Sequence, residues 1–288
     1  MKLSNNRLIL VFLIFIFLLF FIYKKWPDKS IKITYCDVGN GDSILIQQGF
    51  FQLLIDSGRD DRLLGCLGHV LPFWDQVIEV GIVSHFDDDH MGYFGEIMGI
   101  YRFKELYLFH PNKNTQTVKG FLEVLDKAKA VGLLVKQPVL GQSIVLPSGA
   151  KITFLEVNSL SAVENLTEND RSLGLLLETD QTSWLFTGDG EEEWERLLLK
   201  NNYLPQVDVL KVGHHGSKTS SRDEFLQQIM PKLAVMSVGK NSYGHPAEEI
   251  ITKLNSFGSQ ILRTDEKGDI TLTIDEEQII FADFNQRP

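Results

Sequence analysis

The chain has 288 residues, 43% of them apolar, enough for one sizeable globular core. Its charge is divided: residues 1–30 hold five basic residues and one acidic, leaving 23 basic and 37 acidic residues in the remainder. So acidic a body excludes a protein that grips nucleic acid by neutralising many phosphates, and only two cysteines, Cys36 and Cys66, exclude a disulfide framework or a cysteine-type zinc site.

Residues 8–23, LILVFLIFIFLLFFIY, are an unbroken apolar run between Lys2 and Arg7 on one side and Lys24, Lys25 and Lys29 on the other. Sixteen helical residues reach about 24 Å, short of the roughly 30 Å hydrocarbon core, and lysine stems with Trp26 cover the difference. A cleaved signal peptide is the alternative, but the following KKWPDKS offers no small-x-small cleavage site. Residues 1–30 therefore read as a single-pass membrane anchor with a short linker. An anchor of the export-signal type leaves the body outside the cytoplasm.

No low-complexity tract or Pro/Gly linker interrupts residues 31–284, which read as one α/β domain. Residues 31–39, 42–48 and 51–58 are predicted strands, the last two forming a hairpin around Gly49. A buried strand follows over 76–85 and ends on a histidine, and a helix from Asp89 or His90 runs through GYFGEIMGIY. Strands are predicted over 104–109, 132–137 and 151–157, with a helix over 120–132. Residues 172–189 repeat the outline of 42–58: an apolar run, a polar turn, a second run, then an Asp/Gly corner. Residues 207–215 are again a strand ending in histidine, followed by a helix with Ser221 and Glu224 at capping-box spacing. A strand over 233–239 and a helix from Pro246 to Gly258 complete the pattern. Paired strand blocks with helices between them predict two sheets face to face with helices outside. Cys36 and Cys66 read as two buried thiols, with a single disulfide as the alternative.

Four short segments place metal-capable side chains at predicted strand ends: His85, Asp87, Asp89 and His90 in HFDDDH; Asp189 in FTGDG; His214 and His215 in KVGHHGS; and His245 in YGHP. Taken singly, a histidine after a strand is an ordinary loop residue, Asp-Gly is a turn, and His245 is a helix cap. Three consecutive aspartates repel one another, however, and that repulsion calls for a cation more than for a solvated loop. Strand ends of a two-sheet sandwich gather on one edge, so the four segments converge on a two-metal site. Imidazole nitrogen and carboxylate oxygen suit borderline divalent ions, and two such ions share a bridging anion and an attacking hydroxide.

These segments resemble the metallo-β-lactamase superfamily signature H-x-H-x-D-H, with Asp87 at the second histidine position. More specifically, DVGNGDSILI, LLIDSG, SHFDDDHMG, NDRSLGLLLE, LFTGDG, DVLKVGHHGSKTS, SVGKNSYGHP and ILRTDEKGDI resemble, in order, the C-terminal hydrolase domain of ComEC-family competence proteins. The resemblance implies an αββα four-layer metallo-β-lactamase sandwich. It implies one metal on His85, Asp87 and a histidine of the 214–215 pair, another on Asp89, His90 and His245, and Asp189 between them. Catalytic roles fall to Asp89, Asp189, His215 and His245. The third-motif histidine of many members is missing; Asn169 and Ser172 stand there, implying substrate-contact or supporting roles. Two divalent ions are expected, zinc first, with manganese suited to the harder carboxylate set.

ComEC proteins also carry a many-helix channel region and a small β-barrel, neither of which is visible in these residues. The reading is a membrane-anchored metal-dependent phosphodiesterase or nuclease, acting on a phosphodiester such as single-stranded DNA beside a channel partner supplied by another chain. Hydrolysis of another ester (phosphorylcholine ester, lactone or lactam) is the competing enzymatic reading. A metal-containing, non-catalytic DNA-binding module is the third, and a lost ligand would mark it.

Overall fold

Helices cover the outer faces of both sheets, so most strands are apolar on both sides and read as continuous runs rather than alternations. The computed structural model describes residues 5–24, 26–160, 166–275 and 278–285, without the side chains of 5–7, 18, 19, 21–24, 275 and 278–283. After α1 (Asn5–Lys24) the chain runs through β1 (Ile31–Tyr35), β2 (Ile44–Gln48), β3 (Phe51–Ile55), α2 (Arg62–Val70) and β4 (Val77–Ile82). Next come α3 (Asp88–Met91), α4 (Phe94–Ile97), β5 (Arg102–Tyr107), α5 (Gln116–Ala130), β6 (Leu134–Lys136), β7 (Ser143–Val145) and β8 (Lys151–Leu155). The second half holds β9 (Gly174–Glu178), β10 (Ser183–Phe186), α6 (Glu192–Lys200), β11 (Val209–Lys211), α7 (Asp223–Ile229) and β12 (Leu233–Met236). It closes with α8 (Glu248–Ser256), β13 (Gln260–Arg263), α9 (Thr264–Lys267), β14 (Asp269–Asp275) and β15 (Gln278–Asn285).

One sheet has the order β15-β14-β1-β2-β3-β4-β5-β6, the other β13-β12-β11-β10-β9-β8-β7. Alternate residues of each strand sort into layers. Ile33, Tyr35, Ile44 and Ile46 meet Phe154, Leu175, Leu177, Trp184 and Phe186 between the sheets. Leu45 and Leu54 face outward onto Leu63, Leu67, Phe94 and Phe121 of the first helical layer. Leu176, Leu185 and Leu210 face Trp194, Leu198, Phe225 and Ile250 of the second. The result is a four-layer αββα sandwich. The repeated outline has a topological counterpart: β1–β3 are antiparallel and β3–β6 parallel, as β8–β10 are antiparallel and β10–β13 parallel. The ends of β4, β10 and β11 thus lie at one rim, where the chemistry-bearing segments begin.

Several sequence expectations are corrected. Cys36 and Cys66 are joined in a disulfide, with Cα atoms 5.7 Å apart, rather than standing as thiols. The continuous helix after Asp89 is split into α3 and α4, because its hydrogen bonds are diverted. Asp89 O accepts from Asp42 N (3.1 Å), and Tyr93 N donates to Gly58 O (3.1 Å) and Ser57 Oγ (3.2 Å). The capping box at Ser221 does not form. Arg222 is the N-cap of α7, and the N–H groups of Ser221 and Arg222 donate to Glu195 on α6 instead. Helices α2, α6 and α9 and strands β7, β13, β14 and β15 were not anticipated.

Helix α1 spans 20 residues, and the side chains from Leu8 to Phe17 are exposed all round it. Among the described residues no helix is long and apolar enough to cross a membrane. The anchor expected over residues 1–30 falls partly on residues 1–4 and 25 and on side chains that lie outside the described residues.

Candidate metal centre

His85 and the turn of α3 leave the end of β4, Asp189 follows β10, and the 3-10 turn Gly213–Gly216 follows β11. His214 (φ 45°) and His215 (φ 52°) both adopt left-handed backbone, a costly conformation for two successive residues with Cβ atoms, and so project both rings toward the rim. The loop before β2 approaches from the other side. A Cβ on Gly41 would lie 2.3 Å from Asp89 O, so only glycine lets Asp42 N reach that carbonyl.

Three imidazoles meet the Asp189 carboxylate. Asp189 Oδ2 is 3.2 Å from His90 Nε2, 3.4 Å from His215 Nε2 and 4.0 Å from His214 Nε2. His215 Nε2 lies 3.7 Å from Asp89 Oδ2, and His85 Nε2 lies 4.0 Å from Asp87 Oδ2. Two overlapping donor groups result, His85–His90–Asp189 and Asp89–His90–His215. The allocation of the 214–215 pair therefore differs from expectation: His215 joins the Asp89–His90 side. Asp87, His214 and His245 line the cavity above without entering a three-donor group among the described residues.

The outer nitrogen of each buried ring is spoken for. His90 Nδ1 donates to Asp56 Oδ2 at 2.8 Å, and His215 Nδ1 donates to Ser237 O at 2.7 Å. Ser84 Oγ gives its proton to Asp56 Oδ2 (2.6 Å) and so meets His85 Nδ1 (3.1 Å) as an acceptor. Ser172 Oγ also contacts His85 Nδ1 (3.3 Å) and accepts from Asp189 N (3.1 Å). These partners engage Nδ1 of each ring and turn all three Nε2 atoms inward. The Nε2 atoms of His85, His90 and His215, together with Asp189 Oδ1, are buried with no hydrogen-bond partner. Buried polar atoms are rarely left so, and these lie in the two donor groups, which fit divalent ions.

Without metal, the crowded carboxylates favour protons on His90 and His215, the positive charge that ions would otherwise supply. Asp42, Asp56, Asp89 and Asp189 crowd a volume where Lys211 is the one fully buried lysine among the described residues. Lys211 Nζ pairs with Asp42 Oδ2, donates to Gly188 O (3.0 Å) and lies 3.8 Å from Asp189 Oδ1. Burial works against charge on Asp189, yet His215 and His90 hold its pKa well below the usual carboxylate range. Burial likewise opposes charge on His215, but Asp189, Asp89 and Asp42 raise it to about 9. For His85 burial and the neighbouring His90 prevail, and its pKa falls well below the ordinary value.

Sequence reasoning missed the supporting residues. Asp42 and Asp56 sat unassigned inside quoted motifs; a lysine within the apolar run VDVLKVG was the readable signal for Lys211. Glu191 holds His214 Nδ1 at 2.9 Å, and Asn169 Nδ2 lies 3.4 Å from the same carboxylate and 3.3 Å from His214 Nδ1, so Asn169 supports His214 both directly and through Glu191. Lys113 Nζ pairs with Asp87 Oδ1.

The four-layer sandwich has the metallo-β-lactamase fold, and its rim gathers histidines and aspartates. The chain aligns over 84% of its length, at 13% identity and a TM-score of 0.53, with 99% of the metallo-β-lactamase fold protein YhfI from Bacillus subtilis. It is 33% identical to the ComE operon protein 3 of Bacillus subtilis, over 88% of this chain and 34% of that protein. It is 28% identical to competence protein ComA of Neisseria gonorrhoeae, over 84% of this chain and 32% of that protein. Within the superfamily the chain is ComEC-like, and it spans about a third of the length of these curated relatives. No family model matches it.

Proposed function

We propose that the chain is a membrane-anchored, metal-dependent phosphodiesterase or nuclease, acting on single-stranded DNA beside a channel supplied by another chain. The observation that carries this reading is the convergence of three partnerless Nε2 atoms and the Asp189 carboxylate beneath an open cavity of about 390 Å³. His85 and Asp87 would hold one ion, Asp89, His90 and His215 the other, with Asp189 facing both. Two divalent ions there would supply Lewis acidity and a nucleophile drawn from water. Zinc suits this mixed donor set, and manganese suits its carboxylate share.

The chain's own groups do the rest. Asp56, Ser84, Ser172 and Ser237 O fix the ring tautomers, and Lys211 balances Asp42 beneath the floor. His214 and His245 face the cavity beside Asp87, where they would complete the ligand sets or contact substrate. With metal offsetting the aspartates of the wall, Arg59 would favour an anionic substrate, while the acidic body disfavours a long duplex. The relative named a competence protein supports a link to DNA uptake. The exposed apolar α1, with Trp26 edge-on against Phe50 at 5.3 Å, supports the anchor, and the disulfide suits an oxidising compartment outside the cytoplasm.

The test is hydrolysis by metal-loaded protein of labelled single- and double-stranded DNA and a generic phosphodiester, beside a lactone and a phosphorylcholine ester. Cleavage of single strands is expected, and Asp189→Ala should abolish it. Turnover of only the lactone or choline ester would overturn the reading.

A further inference from the structure

Tyr243, in the loop between β12 and α8, is 73% exposed yet built into a rigid setting. Asn241 Oδ1 accepts from the backbone N–H groups of Tyr243 (3.0 Å), Gly244 (3.0 Å) and His245 (3.1 Å). Its Nδ2 donates to Gly239 O (2.9 Å) and His245 O (2.7 Å). The phenol ring lies nearly parallel over His245, with centroids 5.8 Å apart and planes 20° apart, and His245 packs 5.2 Å from His214. An aromatic ladder thus descends from solvent to the wall of the metal cavity. Arg59 lines the same cavity, is exposed, and forms no ion pair among the described residues.

The fold has no need of this ladder, since Tyr243 contributes nothing to the core. A fixed, solvent-facing aromatic ring fits a flat partner, and a lone cation beside it fits a phosphate. We infer that Tyr243, backed by His245, is a stacking platform for the base next to the scissile phosphate, with Arg59 taking a neighbouring phosphate. The inference rests on the phosphodiesterase reading and names the groups that would hold its single-stranded substrate. In a duplex the same base is paired and stacked and would first have to be flipped out. Stacking accepts any base, so the platform confers little sequence preference.

The experiment compares wild type, Tyr243→Ala and Tyr243→Phe, all metal-loaded, on hexathymidylate and on the same strand carrying an abasic residue beside the cleaved linkage. Tyr243→Ala should raise KM for the normal strand about tenfold with a smaller change in kcat, and Tyr243→Phe should restore it. The abasic strand should raise the wild-type KM equally and be indifferent to Tyr243→Ala. A 5-iodouracil strand should photo-crosslink to the peptide containing Tyr243. A wild-type KM in Tyr243→Ala, or equal wild-type KM for both strands, overturns the platform while leaving the phosphodiesterase intact. If wild type cleaves neither strand but crosslinks at Tyr243, the platform stands and the catalytic reading falls. Neither cleavage nor crosslink overturns both.

Discussion

His90 depends on Asp56 more than on anything in its own segment. That carboxylate, itself left-handed at φ 58°, takes the Nδ1 proton and turns Nε2 toward Asp189. Removing such an outer partner typically lowers metal affinity by about 10–100-fold. Asp56→Asn should therefore weaken zinc binding by that factor with the fold retained, as measured by competition with a chromogenic chelator; unchanged affinity would remove Asp56 from the site. Lys211 makes a different kind of contribution. Deleting its charge leaves Asp42 buried with only the His215 and His90 rings near it, at 3.6 and 3.8 Å, and breaking such a pair costs about 3–5 kcal/mol. Lys211→Met should lose stability of that order in urea unfolding of the metal-free protein, and the Asp42→Asn, Lys211→Met pair should recover much of it. A single variant as stable as wild type would contradict the assignment.

At the scale of elements, legibility followed hydrogen-bond locality. Strands were readable because one inward and one outward apolar layer make runs such as ILI and LLI continuous. The split at Gly92 was not, because Asp89 O and Tyr93 N are bonded to residues far away in sequence. The false capping box failed for the same reason. Ser221 N and Arg222 N are satisfied by Glu195 of α6, at 2.5 and 2.9 Å, a partner that lay in an unassigned stretch. Burial pushes Glu195 from the ordinary 4.5 up to about 8 despite those two donors. Because the folded chain then holds this proton more tightly than the unfolded chain, the stabilisation is full below about 4.5 and is lost as pH rises through about 8. In urea titrations, the stability of wild type relative to Glu195→Gln should fall across that interval; a pH-independent difference would contradict the shift.

For the molecule as a whole, the gathering of the chemistry-bearing segments at one rim was legible because only convergence reconciles their charges. Their outer partners were not, since nothing local marks Asp42, Asp56 or Ser237 O as facing a histidine. Doubling of the strand pattern across two sheets explains the convergence: parallel strands β3–β5 and β10–β12 end at one rim, and the rim is where donors from both halves meet. The most direct measurement is the metal content of the purified chain after dialysis against metal-free buffer, read by mass spectrometry beside Asp189→Ala. The account predicts two divalent ions per wild-type chain and fewer in the variant. A wild-type chain that retains none after exposure to zinc and manganese would contradict it.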